Sequence, residues 1–176
     1  MRKILNDELG RPSIEEFRKK EKSNVIIVLD NIRSAHNVGS VFRTADAFVV
    51  KSIHCCGITT VPPNRDLLKA SLGSQESIEW KYFPTTIESI YNLKKSGFRI
   101  IGIEQLDKSI FLNKFQFNKT EKIALVFGNE VHGLSDEILN QLDSAIEIPQ
   151  FGTKHSFNIS ISAGIVLWEY FIKTQS

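Results

Sequence analysis

Little in this chain points to a secreted, membrane-spanning or metal-dependent protein. Its 176 residues include only two cysteines, and these are neighbours, Cys55 and Cys56. Adjacent strand residues point to opposite faces, which argues against an ordinary structural disulfide between them. No Cys-x-x-Cys spacing occurs, and the four histidines (His36, His54, His132 and His155) fall in no zinc-ligand pattern, so no structural metal is expected. The chain opens on charged and polar residues and holds no apolar run of eighteen. A membrane span or signal peptide is therefore not expected, and a reducing cytoplasm is the expected setting. Standard nucleotide motifs are missing too. There is no Gly-x-Gly-x-x-Gly, and Gly128-Asn-Glu-Val-His-Gly133 runs into Leu134 where a phosphate-binding loop needs lysine. Dinucleotide oxidoreductases and P-loop NTPases are both disfavoured. Internal repeats, low-complexity tracts and flexible linkers are also absent.

What is present is ordinary soluble composition, 41% hydrophobic and 24% charged, in a length that suits one domain with a full core. The net charge is only +2, so global charge neither demands nor excludes a nucleic-acid partner. Local clusters say more: Arg18, Lys19, Lys20 and Lys22 near the start, then Arg33 and Arg43. The first cluster also reads as a solvated helix face.

Apolar runs and polar periodic stretches alternate along the chain. A polar helix is expected over 13–22, with Ser13 as cap and Glu16 three positions on. Residues 24–30 read as a buried strand, 38–49 as a helix burying Val41, Phe42, Ala45 and Phe48, and 52–56 as a second strand. Pro62, Pro63 and Asn64 make 57–65 a loop. Helices are expected over 65–72 and 86–96, strands over 99–103, 122–127 and 144–148, and a short helix over 135–142. The apolar tail 158–172 is too short to span a bilayer comfortably and reads as a core or interface helix. Such alternation implies an α/β fold, a mostly parallel sheet flanked by helices. Residues 1–23 would be a short polar and basic N-terminal extension, and 24–176 the domain proper.

Ligands of such sheets gather beyond the carboxyl ends of the strands, and three polar segments fall there: 30–39, 128–133 and 150–158. Within them, Asn37-Val-Gly39-Ser-Val-Phe-Arg43-Thr-Ala45, Phe127-Gly-Asn-Glu130-Val-His-Gly133-Leu-Ser135 and Ile148-Pro-Gln-Phe-Gly152-Thr-Lys-His-Ser156-Phe-Asn158-Ile-Ser160 follow one another in order. This set resembles the three motifs of the SpoU/TrmH-type RNA 2'-O-methyltransferases of the SPOUT superfamily. The resemblance covers 24–176. Phe157 stands where leucine is usual, and Gln150 where methionine is frequent.

The resemblance implies a deep C-terminal trefoil knot, a homodimer with composite active sites, and S-adenosylmethionine as cofactor. The residues alone would not suggest a knot, since knotted chains are rare exceptions. By motif position, Ile103, Gly128, Ile148, Ser156 and Phe157 would line the cofactor pocket. Gly128 and Gly152 are equally readable as turn glycines. Arg43 matches the arginine proposed to activate the ribose hydroxyl. A free guanidinium is a very poor base, so orienting hydroxyl and phosphate and stabilising developing charge suits it better. Its bland alternative is an ion pair with Asp46.

Asn37 would hold the catalytic loop or Arg43 itself, or serve only as a turn residue. Glu130 would bridge the dimer or bind a residue of the first motif. Ser156 and Asn158 would sit near the reacting ribose, Asn158 alternatively capping the last helix. Arg33, Arg43, Lys154 and His155 are the candidate RNA contacts, with Lys154 the preferred phosphate contact over the surface histidines. Val166, Leu167, Trp168, Tyr170 and Phe171 give the terminal helix surplus apolar surface for a dimer interface. RNA is the expected partner, tRNA before ribosomal RNA. An RNA-binding assembly factor without catalysis, or a base methyltransferase, are the alternatives.

Overall fold

The computed structural model describes residues 1–174. Seven parallel strands form one sheet in the order β3-β2-β1-β6-β4-β7-β5. These are β1 Val25–Asp30, β2 Ser52–Cys56, β3 Glu79–Phe83, β4 Arg99–Ile103, β5 Ile110–Phe111, β6 Ile123–Phe127 and β7 Ser144–Glu147. The helices are α1 Ile14–Lys19, α2 Ala35–Ala47, α3 Arg65–Ser71, α4 Ser74–Ser77, α5 Thr86–Lys95, α6 Asp136–Leu139 and α7 Ile159–Thr174, with a 3-10 turn at Asn6–Leu9.

The centre of the sheet is the unbroken apolar sequence of β1 and β6, buried on both sides as parallel strands are. Alternate residues divide between two cores. Val25, Ile27 and Leu29 pack with α2, α3 and α7, while Ile26 and Val28 pack with Ile90 and Leu93 of α5 and Ile138 of α6. Cys55 enters the first core and Cys56 the second, both as buried free thiols. Burial pushes each thiol up to about 12, so neither is a nucleophile at neutral pH.

Helix starts follow local chemistry. The side-chain oxygens of Ser13, Ser34, Asn64 and Thr85 each accept from backbone N–H groups in the first turn that follows. Ser13 and Glu16 complete the expected capping box, though α1 ends at Lys19 rather than at 22. Phe17 on its inner side is buried in the main core, so α1 is docked there.

Three readings need correction. Two strands were not anticipated: β3, an edge strand of exposed and half-buried residues, and the two-residue β5. The helix expected over 135–142 is the single turn α6, because the chain bends back so that the Ile100 N–H donates to the Asp143 carboxylate at 2.7 Å. On α7, Val166, Leu167 and Tyr170 are buried in the protein's own core, so they are not surplus surface; Ile161 and Trp168, at 54% each, and Ile172, at 47%, are the exposed apolar residues there.

The topology positions the site. β6 lies between β1 and β4, and β7 between β4 and β5, so the chain twice returns to insert a strand between two others. The loops after β1, β6, β4 and β7 consequently share one edge of the sheet.

Candidate active site

Gly128 ends β6 with its backbone pressed against the returning chain. A Cβ there would lie 2.4 Å from the Gly133 carbonyl carbon and 2.6 Å from the Leu134 nitrogen. Glycine is thus required by close approach, beyond any preference for a turn. Between them, Asn129 and Gly133 exchange two backbone hydrogen bonds of 3.1 and 2.9 Å and close the loop on itself. The Asn129 side chain braces it twice. Its carbonyl oxygen accepts from the Val131 and His132 N–H groups, and its amide donates to the Asn31 carbonyl at 2.7 Å, joining the loop to the end of β1.

Glu130 continues that junction. Its carboxylate accepts from the Arg33 and Ser34 N–H groups at 2.9 and 3.1 Å and from the Asn37 side-chain amide at 3.1 Å. Partial burial pushes this carboxyl up, but the hydrogen bonds from Arg33, Asn37 and Ser34 together outweigh it and hold the group below the usual glutamate range. Asn37 is buried, and its carbonyl oxygen accepts from the Asn158 amide at 3.0 Å. Asn158 in turn accepts from the Ser160 N–H and hydroxyl at 2.9 and 2.7 Å, capping α7. One polar chain, Glu130–Asn37–Asn158, therefore ties together residues 93 and 121 positions apart.

Beneath this chain is a cleft of about 670 Å³. Ile103, Gly128, Ile148, Ser156 and Phe157 all line it, as do Glu130 and Asn158. Its apolar walls, with Leu134 and Ile146, suit a planar heteroaromatic ring, and its polar lining suits the ribose and charged tail of a nucleoside. Three carboxylates line it, Glu104, Glu130 and Glu147, with no lysine or arginine. That balance fits a cationic ligand.

Arg43 stands apart. It lies on the exposed side of α2, lines no part of the cleft, and has no ion pair or hydrogen bond among the described residues. The Asp46 carboxylate instead accepts from the Ser77 hydroxyl. Nor does Asn37 hold Arg43: its side chain is committed to Glu130 and Asn158. Arg33, Lys154 and His155 are exposed around the same end of the sheet, outside the cleft lining, as is Gly152, where an added Cβ would meet nothing within 4 Å. His132 lines the cleft but is exposed.

Among the cleft residues that the sequence reading did not single out, Glu104 and Gln105 have structural duties. The Glu104 carboxylate accepts from the Gln105 and Leu134 N–H groups at 3.0 and 3.3 Å and lies against Gly133, supporting the 128–134 loop. Gln105 donates to the His155 carbonyl at 2.7 Å and so anchors the base of the third loop. Both directly follow β4, where the rule that ligands gather beyond strand ends would have placed them.

Comparison with known proteins agrees with this geometry. Residues 24–168 match the model of the SpoU rRNA Methylase family. The tRNA (guanosine(18)-2'-O)-methyltransferase of Thermus thermophilus is 29% identical over 162 residues, 92% of this chain and 81% of that protein. An AdoMet-bound rRNA methyltransferase from Sinorhizobium meliloti superposes with a TM-score of 0.78 at 28% identity, covering 88% of this chain. This chain spans 59% of that longer one. The A. aeolicus TrmH/SpoU tRNA modifying enzyme superposes with a TM-score of 0.79 at 25% identity, over 91% of this chain and 81% of its own.

Proposed function

The chain belongs to the SpoU rRNA methylase family of S-adenosylmethionine-dependent RNA methyltransferases, and from that premise we propose that it methylates a ribose 2'-hydroxyl, of tRNA in preference to ribosomal RNA. The observation that carries this reading is the polar chain Glu130–Asn37–Asn158, which fastens the first-motif helix to the rim of the cofactor cleft. Likeness to a tRNA 2'-O-methyltransferase over 92% of the chain supports both the reaction and the substrate class.

S-adenosylmethionine supplies the activated methyl group. Ile103, Gly128, Ile148, Ser156 and Phe157, which line the cleft, would hold it, largely through backbone groups and apolar contact. The cleft's three carboxylates favour its sulfonium and amino charges. A 2'-hydroxyl is a poor nucleophile and must be held in line and relieved of its proton. Arg43 orients that hydroxyl and its neighbouring phosphate and stabilises charge as it develops. Ser156 and Asn158 border the position the ribose takes.

Because Arg43 lies outside its own chain's cleft, the working site is composite, with Arg43 delivered by a second copy in a homodimer. The exposed Ile161 and Trp168 on α7, with Phe48 and Phe171 beside Trp168 in edge and stacked contacts, form the self-complementary patch that association requires. The C-terminal part is threaded as a trefoil knot, which the double insertion of β6 and β7 supports.

The test is transfer of labelled methyl groups to separate unmodified tRNA and ribosomal RNA pools, by wild type and by Arg43→Ala. Labelling of tRNA by wild type alone, with 2'-O-methylribose in the digested product, is the expected result. A methylated base would overturn the reaction assigned. Cofactor binding without transfer to either pool would favour a non-catalytic RNA-binding role.

A further inference from the structure

Phe151 is 97% exposed, more than any other aromatic residue among those described. It sits in the loop that forms one wall of the cofactor cleft: Gln150 before it and Ser156 and Phe157 after it line the cleft, while Phe151 does not. The base of this loop is fixed, since Gln105 and Gln150 both donate to the His155 carbonyl, at 2.7 and 3.5 Å. An aromatic ring is thus carried on an anchored loop, outside the cleft and at its mouth.

Charge says what meets it. The cleft interior is lined by Glu104, Glu130 and Glu147 and by no lysine or arginine, so it repels a phosphodiester backbone. Only the target ribose needs to reach the methyl group. The rest of the nucleic acid must lie along the rim, where Lys154 and His155 stand exposed with side chains that pair with no group among the described residues. Single-stranded or splayed RNA is gripped by a ring for the base and cations for the phosphates beside it. The Phe151–His155 tip offers both within five residues.

We propose that Phe151 is a base-stacking platform for the RNA substrate, holding a base next to the target nucleotide while Lys154 takes the adjoining phosphate. This rests on the proposed reading of the chain as an RNA methyltransferase acting at this cleft. Stacking requires a flat ring, so Phe151→Leu, which keeps the apolar contact, fails as fully as Phe151→Ala, whereas Phe151→Trp succeeds.

The experiment measures binding of fluorescein-labelled unmodified tRNA by anisotropy for wild type and the three variants, with cofactor affinity by calorimetry and mass by sedimentation. Loss of one stacked base weakens tRNA binding about tenfold in Phe151→Ala and Phe151→Leu. Phe151→Trp restores it, and its added indole is quenched on tRNA addition. Cofactor affinity and mass stay at wild-type values. Wild-type affinity in Phe151→Leu overturns the proposal, as does a parallel loss of cofactor affinity, which would make the ring a lid, or a fall in mass, which would make it a subunit contact. Methyl transfer by wild type, assayed separately, judges the underlying reading: transfer with unchanged tRNA affinity in Phe151→Leu sinks the stacking role alone.

Discussion

Replacing Glu130 with glutamine tests whether the three loops are held together as the structure shows. One carboxylate oxygen of Glu130 accepts from the Arg33 N–H, and the other from both the Ser34 N–H and the Asn37 amide. Glutamine has the same shape but one of its two terminal atoms is a donor. Turned one way it sets an NH2 against Arg33 and loses one bond; turned the other it opposes Ser34 and Asn37 and loses two. Hydrogen bonds to a charged acceptor contribute about 1.5–3 kcal/mol each when shielded, but Glu130 is exposed and water replaces much of that. A loss of about 1 kcal/mol is expected, a fall in Tm of about 2–4 °C for a chain of this size. Since Asn37 and the start of α2 are then held less firmly, kcat/KM for methyl transfer should drop about tenfold or more. Acidity sharpens the test. The folded carboxyl is held below its ordinary value, so its stabilisation is full above the ordinary glutamate range of about 4.3 and disappears as pH falls through the folded value. The gap in Tm between wild type and variant should therefore be present at pH 7 and close at low pH. A Glu130→Gln variant with wild-type Tm and kcat/KM at pH 7 would refute the argument.

Three further outcomes follow from other parts of the molecule. Gly128→Ala forces a methyl group into a space 2.4 Å from the Gly133 carbonyl carbon; calorimetry should show cofactor affinity falling at least tenfold, with about 1–3 kcal/mol of stability lost in denaturant melts. Trp168→Glu places a charge in the exposed apolar patch of α7 and, if the proposed dimer forms there, should yield monomer in sedimentation, abolishing methyl transfer while leaving the fold intact by circular dichroism. His54 is buried, pairs with the Ser89 hydroxyl at 2.7 Å, and burial, with the Lys81 charge behind it, lowers its pKa to about 4. Its neutral form belongs to the folded state, so stability should be undiminished above pH about 6.5 and decline toward pH 4, by up to about 3 kcal/mol. Urea melts of His54→Asn should show a shallower slope across that interval, and an equal slope would rule out His54 as the cause.

The sequence disclosed the central strands because parallel strands buried on both faces read as unbroken apolar runs, as 25–30 and 123–127 do. It concealed β3 because an edge strand needs no such run: Glu79 and Lys81 alternate with half-buried Trp80 and Phe83 closes it, a pattern shared by many loops. Surplus apolar surface on α7 was also misjudged, since periodicity cannot tell a residue facing its own core from one facing a partner. Val166 and Tyr170 face inward and Trp168 outward. Motif order placed all five expected cofactor residues around one cleft. Motif spacing could not reveal that Asn37 serves Glu130 and Asn158 and not Arg43. At about 100° per residue, six positions turn Arg43 well away from Asn37, so the buried amide and the exposed guanidinium belong to different surfaces of one helix.

That division of α2 explains why the three motifs occur together. The first is the opening of a helix and the other two are loops, so each depends on its neighbours for a fixed position. Insertion of β6 beside β1 brings the 128–134 loop to the start of α2, where Glu130 accepts from the Arg33 and Ser34 N–H groups just ahead of the helix and from the Asn37 side chain in its first turn, while Ser34 caps the helix itself. Asn158 caps its own helix with its carbonyl oxygen and spends its amide on Asn37. Polar groups at the two helix starts are thus what join the loops to one another and to the cleft's rim. The outer side of α2 is free of that duty, so Arg43 stands exposed there with no partner among the described residues, as the proposed composite site requires.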